Sequence, residues 1–497
     1  RAFNAGVVSE ELHGRTDLEK FGMGLSDSLN VLFLREGGAV GEPGTKFIGE
    51  VSNSLKETRL FKFQFGVLQI YVNEWGDEDM RVTMGDGHVL ETAKAITSLT
   101  DANPGVVSIV GHGYADGDQV FVAGIATPAD LAAGLNGRYF RVTNKTADTF
   151  RLADMWGDAI NTAPYGAWTA GGTVARVYKL ATPYGEADVL AGISLAQDND
   201  KQYVANIGVE PHKLTRSNHD AWAITPITFQ ATVAAPGGVG VTADTSGGAG
   251  SPSLCEYKVT AHDDDVLEES LPSAVVSVSN DLDIDGNKNT IAFTLNGADR
   301  YSIYKNDNGL YGYIGGTVGP SFVDDNIDPD LAFTPPTARN PFLGAGNYPA
   351  VVEFHEGRLV WGCTYNDPGL VLFSGSEKYE NMNVSQPARS DDAITIRLRP
   401  GVNPVRGIAS GETLSVFSAD AEWAIKGSSV VGFITPASID TKRQTFYGSH
   451  TLRPLCLSAG IVLHVQRQGR VVRAYGYSFE KDGFKSNDLT LLAPHLF

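Results

Sequence analysis

The sequence predicts a mainly β protein, a β-propeller-like platform built from discontinuous segments with two small β-sandwich or barrel domains inserted. Three observations predict it. Fifty-six glycines punctuate short runs of alternating apolar and polar residues, the pattern of strands separated by tight turns. The C-terminal third repeats with a period of about 50 residues. Two Gly- and Asp-rich stretches interrupt the remaining pattern.

The repeat is led by glycine. Gly357-Arg358-Leu359-Val360-Trp361, Gly411-Glu412-Thr413-Leu414-Ser415-Val416-Phe417 and Gly460-Ile461-Val462-Leu463-His464-Val465 each read as a turn followed by a strand, their glycines 54 and 49 residues apart. Further strands follow, such as Glu422–Ile425 and Arg470–Tyr475. One four-stranded blade cannot bury both faces alone, so such units stack into propellers. Three units are too few for a ring of the usual four to eight blades. Either earlier segments complete it or the chain continues past Phe497.

The expected platform therefore takes residues 1–92, 181–230 and 339–497. Its first part offers strands at 60–65, 68–72 and 80–84, and its second at 203–206 and 222–225. A helix is expected over 9–34, capped by Ser9, with Leu12, Leu18, Phe21, Leu25, Leu29 and Leu32 near one face. Gly22 and Gly24 oppose it.

Residues 93–180 form the first expected insert, with strands at 106–110, 119–122, 139–142 and 149–152. The second occupies 231–338, after the linkers Ala235-Pro236-Gly237-Gly238 and 246–252, and closes at Pro335-Pro336. Its short alternating strands at 256–260, 275–278, 291–295 and 300–304 suggest a fibronectin-III-like sandwich.

A chain of 497 residues, 42% apolar and 20% charged, suggests a soluble protein of several domains. No apolar run approaches the roughly 20 residues that span a bilayer. Arg1-Ala2-Phe3-Asn4 begins neither a secretory apolar region nor with an initiator Met. Cys255, Cys363 and Cys456 are dispersed and odd in number, which points to buried thiols in a reducing cytoplasm rather than disulfides or zinc. The net charge of −19 is uneven: residues 181–338 carry 7 Lys+Arg against 22 Asp+Glu, whereas 339–497 carry 16 against 14. Without a basic patch, clamping of nucleic acid is disfavoured.

Motifs for chemistry are weak. Asp281-Leu282-Asp283-Ile284-Asp285-Gly286-Asn287 copies the opening of a calcium loop, but its twelfth position is Ala292 instead of a bidentate carboxylate. An incidental loop cation remains open beside a solvated acidic turn. Asp263-Asp264-Asp265 with Glu268-Glu269 reads as an exposed hairpin tip. Gly111-His112-Gly113-Tyr114 is half a dinucleotide fingerprint with no helix after it. His112, His212, His219 and His355 are isolated, reading as surface or packed imidazoles. Ser418-Ala419-Asp420-Ala421-Glu422-Trp423 partly matches a sialidase aspartate box, lacking its glycine and with its Trp two positions early. Glycosidic cleavage would need paired carboxylates. No catalytic, cofactor or metal residues are assigned, and the chain is expected not to be an enzyme; a glycan-degrading propeller is the alternative.

The ordered fragments resemble a known family. Ala5-Gly6 through Glu10, Gly14–Lys20, Gly37-Gly38-Ala39 and Pro43–Glu50 are similar to the opening of the nozzle proteins (tail tubular protein B) of short-tailed bacteriophages. Pro211–Arg216 with Trp222 follows, then Tyr348-Pro349, Arg358-Leu359, Trp361, Ser374-Gly375-Ser376, Tyr379-Glu380-Asn381, Asp391–Ile394, Glu422-Trp423, Ile434-Thr435-Pro436, Tyr447-Gly448-Ser449, Gln466–Arg470 and Tyr477–Glu480. The first insert resembles the small β domain named after the FCCH domain of ubiquitin-activating enzyme, and the second resembles phage fibronectin-type modules. Family members usually continue with further blades.

The resemblance implies a structural protein of the virion tail, assembled in the host cytoplasm as a homohexameric ring. The ring would continue the portal-adaptor channel, retain packaged double-stranded DNA and pass it during ejection without sequence-specific binding. Its implied partners are the adaptor, tail fibres or spikes, and the host envelope at the tip. The residues of such a DNA channel are not identified. A tail-associated receptor- or glycan-binding protein is the second expectation.

Overall fold

The computed structural model describes residues 3–34, 36–399, 404–428, 431–457 and 460–496; Arg1, Ala2 and Phe497, named above at the termini, lie outside them. The chain is mainly β, a propeller-like platform of discontinuous segments with two inserted small β domains. It forms two compact units, one of Arg1–Ile193, Gln197–Val204 and His212–Thr225, the other of Ser194–Ala196, Ala205–Pro211 and Pro226–Phe497.

In the first unit, Arg59–Gln64, Ile70–Trp75 and Asp79–Met84 form an antiparallel meander. Its inward residues Phe63, Tyr71, Trp75, Met80 and Val82 are fully buried. Lys179–Ala181 then returns and pairs with Asp79–Met84 from the other side. The chain between these partners builds a seven-stranded sheet, in the spatial order Ser98–Leu99, Val106–Ser108, Thr149–Ala153, Arg138–Thr143, Gln119–Thr127, Ala170–Arg176 and Lys94–Ala95. Period-two alternation sends Val120, Val122, Phe140, Val142, Phe150 and Val174 into one core. The short helix Ala129–Leu135 covers that core with Leu131 and Leu135, one turn apart. Its seven residues are too few to show a helical period in the sequence. The register shifts between Ile125 and Thr127 opposite Gly171. Gly172 lies nearby at φ +105, where a Cβ would sit 2.8 Å from Ile96 and 2.9 Å from Ile125.

The helix expected over 9–34 does not form. Glu10–Leu12 and Glu19–Met23 are 3-10 turns, Gly6–Val7 pairs in parallel with Gly24–Leu25, and Val31–Phe33 with Ala39–Gly41 makes a hairpin. Each interior glycine costs a helix about 1 kcal/mol. Gly24 also lies against Val8, where a Cβ would stand 2.5 Å from a methyl group. The supposed apolar stripe is not buried; Leu29 is 82% exposed.

In the second unit, the inserted domain is a sandwich. One sheet holds Gly237–Asp244, Lys288–Thr294 and Ser321–Asp324; the other is built on Ser253–Asp263, Arg300–Asp307 and Leu310–Thr317. Tyr257, Val259, Ile291, Tyr301 and Ile303 fill the space between them. Three four-stranded meanders follow: Val351–Arg397, Val405–Thr445 and Leu455–Asp488. Gly357, Gly411 and Gly460 each lie between the first and second strands of their sheet. Gly357 and Gly460 adopt φ +68 and +70, a turn conformation that glycine enters without steric cost. Val360, Val371, Val416 and Ile425 join the first two sheets in one core, while Phe417, Val462 and Tyr475 join the second to the third.

Candidate functional site

A buried polar cluster lies where the acidic hairpin was expected to be exposed. Asp264 and Asp265 are exposed. Leu267 at φ +53 turns the chain back, pairing Asp263 with Glu268 and His262 with Glu269. Glu268 is 4% exposed. It accepts hydrogen bonds from the Thr232 N–H at 2.8 Å, from the Thr232 hydroxyl and from Asn381 Nδ2 at 2.6 Å.

Glu269 accepts from the Thr260 hydroxyl at 2.8 Å, the Tyr304 hydroxyl at 2.6 Å and Arg389 Nη1 at 2.6 Å. Arg389 also donates to the Thr334 carbonyl. Burial and then the Glu269 charge push the Tyr304 hydroxyl up. Burial opposes the Arg389 charge, but Glu269 outweighs it and holds the guanidinium protonated. Nearby, burial lowers His262. The cluster ties the inserted sandwich to the 374–393 connection of the first C-terminal sheet. A two-residue strand gave no alternation from which this burial could be read.

The box-like hairpin separates its two carboxylates. The Ser418 hydroxyl closes the turn, accepting from the Ala421 N–H and donating to the Ala421 carbonyl. Asp420 points outward to Arg467 at 2.6 Å. Glu422 is fully buried, accepting from the Thr445 hydroxyl and the Tyr447 N–H, and burial raises its pKa. Positions two apart in a hairpin strand share a face only while regular pairing lasts, and here the turn intervenes. The hairpin does not place the carboxylates on one substrate.

The isolated histidines are packed. His112 Nδ1 accepts the Tyr114 N–H, and its ring lies on Phe150. His355 bonds the Ser410 hydroxyl, His219 bonds the Tyr71 hydroxyl at 2.6 Å, and the ring of His212 lies against Tyr184. Gly111 and Gly113, at φ +59 and +70, simply turn the chain. The calcium-like loop closes on itself: Asn287 Nδ2 donates to the carbonyls of Asp281 and Gly248, and Ala292 lies within a strand. Among the described residues no group of three or more His, Cys, Asp or Glu is placed to hold a metal. Cys255 and Cys363 are buried, the latter's thiol pushed up to about 11 by burial, and Cys456 is exposed.

Sequence reasoning missed a polar cluster in the first unit. Buried Arg81 donates to Glu74, to Gln119 and to the Glu50 carbonyl. Beside it, a cleft of about 320 Å³ is lined by Ser52, Lys56, Asp77, Asp79, Arg141 and Lys179. Asp79 accepts from Ser52 at 2.7 Å and pairs with Lys179 at 2.6 Å. A second cleft, of about 680 Å³, is lined by Phe47, Met84, His88, Phe121 and Tyr139. Burial, and secondarily Arg81, lowers His88 to about 4. The acidic run Glu74–Asp79 is the available sequence signal, but it also suits a solvated turn. Among the described residues no helix is long and apolar enough to cross a membrane.

No family model matches this sequence, and no curated protein matches it. Among solved structures, the chain is similar to a Lactobacillus plantarum protein at 9% identity and TM-score 0.27, covering 87% of this chain and 95% of that one. A candidate 6-phosphogluconolactonase of Bacteroides fragilis gives 11% identity and TM-score 0.26, covering 89% and 96%. Hsv2 of Kluyveromyces lactis gives 8% and 0.25, covering 87% and 98%. At these values the likenesses carry no functional assignment.

The expectation from resemblance is corrected on other ground, since neither a family model nor a curated protein stands behind it. The neighbours named are bacterial and yeast proteins, not phage tail proteins, and no family match stands behind the nozzle fragments. The nozzle family, the DNA-conduit function, its tail-associated binding alternative and the virion-tail location are set aside. Short dispersed fragments of two to eight residues, many of them turn residues, occur wherever strands and tight turns alternate.

Proposed function

We propose that this chain is a non-catalytic scaffold whose platform holds the acidic second inserted domain in a fixed orientation for a partner with a basic surface. The carrying observation is the Glu268–Glu269 cluster. Its buried carboxylates are occupied by Thr232, Thr260, Tyr304, Asn381 and Arg389, so they serve as fasteners and not as proton carriers. A flexible tether alone would leave domain orientation loose. The 22 Asp+Glu against 7 Lys+Arg across 181–338 supply the field that such a partner would meet.

The test compares the full chain with its Arg389→Ala variant by hydrogen exchange and limited proteolysis. Faster exchange at 231–236 and 333–340, with the sandwich core still protected, supports the mount. Unchanged exchange at both linkers overturns it. Hydrolytic turnover by the wild-type chain that Glu422→Gln abolishes would overturn the non-catalytic reading.

A further inference from the structure

The polar cleft of the first unit has a charge pattern that its own residues do not complete. It encloses about 320 Å³, at the small end of ligand sites. Most charged groups on its wall are already matched. Lys179 pairs with Asp79 at 2.6 Å, Lys56 with Glu186 at 2.8 Å and Asp77 at 3.8 Å, and Asp118 with Arg176 at 3.2 Å. Two lining groups are left over, Arg141 and Asp116. Among the described residues neither has an ion-pair partner, and no ion pair joins the two. Arg141 is half-buried and its Nε, itself buried, has no hydrogen-bond partner. Asp116 is exposed and accepts the Lys145 N–H at 2.9 Å.

A third group is incomplete. Asp79 is 4% exposed, and its Oδ1 has no hydrogen-bond partner. That oxygen lies beside Gly76, where a Cβ would stand 2.7 Å from it. Gly76 is not in the left-handed backbone region that favours glycine. What its missing side chain provides is room next to the oxygen, and both residues line the cleft. A buried acceptor without a donor is costly, and a donor arriving on a ligand would remove that cost.

The pattern selects the ligand. Four carboxylates on the wall repel a multiply charged anion. Among the described residues no three acids are placed to hold a metal ion. Ser52, Asn53 and Thr58 lie among the charged groups, so an apolar molecule would strip water from polar atoms without replacing it. One unpaired cation and one unpaired anion, beyond ion-pair reach of each other, complement a small zwitterion. We propose that the cleft binds a free α-amino acid with a small neutral side chain. Its carboxylate lies on the Arg141 guanidinium, whose fork of donors matches a carboxylate. Its ammonium is held by Asp116 and the free oxygen of Asp79. This inference does not depend on the mount for the second inserted domain.

The test is calorimetric titration of the full-length chain with glycine, L-alanine and L-serine. Acetate and methylammonium are titrated alongside as the two halves of the ligand. The expected result is saturable binding of the amino acids, about tenfold or more tighter than either half, because both charges are engaged at once. Arg141→Gln and Asp116→Asn should each weaken binding by about tenfold or more. Circular dichroism should not change, since neither side chain holds an ion pair within the fold. Gly76→Ala should weaken binding while keeping every charge, by closing the approach to Asp79. No saturable heat with any of the three amino acids at millimolar concentration overturns the proposal. Acetate binding as tightly as glycine also overturns it, making the cleft a plain anion site, as does undiminished affinity in both Arg141→Gln and Asp116→Asn.

Discussion

Arg389 donates to Glu269 at 2.6 Å although the two are 120 residues apart in sequence. The Arg389 side chain is 27% exposed and that of Glu269 8%, so solvent screens the pair only in part. Removing one partner of a well-buried pair costs roughly 3–5 kcal/mol. Arg389→Ala should approach the lower end of that range in chemical denaturation. Glu269→Gln should cost less, because an amide still accepts from Thr260 and Tyr304. A double-mutant cycle should return a coupling above about 1 kcal/mol; additive effects would show that the contact does not hold the domain.

Acid should weaken both units through buried neutral histidines. His88 and His464 are each lowered from 6.5 to about 4, first by burial and then by Arg81 and Arg473 respectively. A depressed folded-state pKa stabilises above the unfolded value, and the gain is lost as pH falls from about 6.5 towards 4. The full difference is about 3 kcal/mol per histidine. His464→Gln should flatten the pH dependence of the midpoint in that window, measured by thermal melts between pH 4 and 7. An unchanged slope would remove His464 from the account.

Glu422 has the opposite sign. Burial raises its folded-state pKa, so its contribution is fully present below the unfolded value and is lost as pH rises through the folded one. Glu422→Gln keeps the shape and the acceptor for Thr445. The variant should gain stability over wild type at pH 8 more than at pH 4. Equal shifts at both would show that the carboxylate is not desolvated as described.

Gly172 tests the bulge of the first inserted domain. At φ +105, with Ile96 and Ile125 within 2.9 Å of where a Cβ would stand, Gly172→Ala adds backbone strain to a clash. A loss of roughly 1–3 kcal/mol is expected, read as a lower unfolding midpoint. Gly157, at φ +102 with nothing within 4 Å, should show the backbone part alone when changed to Ala.

The legible parts of the sequence were those where local pattern and global packing agree. The glycine-led period marked a real turn in each C-terminal sheet; at Gly357 and Gly460 a left-handed turn before the next strand leaves both a Gly and an apolar run. The N-terminal segment misled because Leu12, Leu18, Phe21 and Leu25 keep a helical spacing while Gly14, Gly22 and Gly24 break the backbone that would use it. Leu131 and Leu135 went unread because a seven-residue helix makes only about two turns, too few to show a period. Glu268 and Glu269 were invisible for another reason: their burial comes from Arg389 and Asn381, more than a hundred residues downstream, which no local window contains. Arg81 is a similar case, its partners arriving from Glu50 and Gln119 on separate segments.

The strand Lys179–Ala181 lies beside Asp79–Met84, so the first sheet cannot be finished until everything between them has left the ribosome. Pairing over that separation carries a loop-closure cost that a hairpin avoids, and it delays completion of the sheet. The intervening domain has its own core around Phe150 and pairs its two ends, Lys94–Ala95 against Thr173 and Val174, which shortens the loop left to close once that domain is folded. The insertion is thus built as a splint, holding the closing strand Lys179–Ala181 near its place.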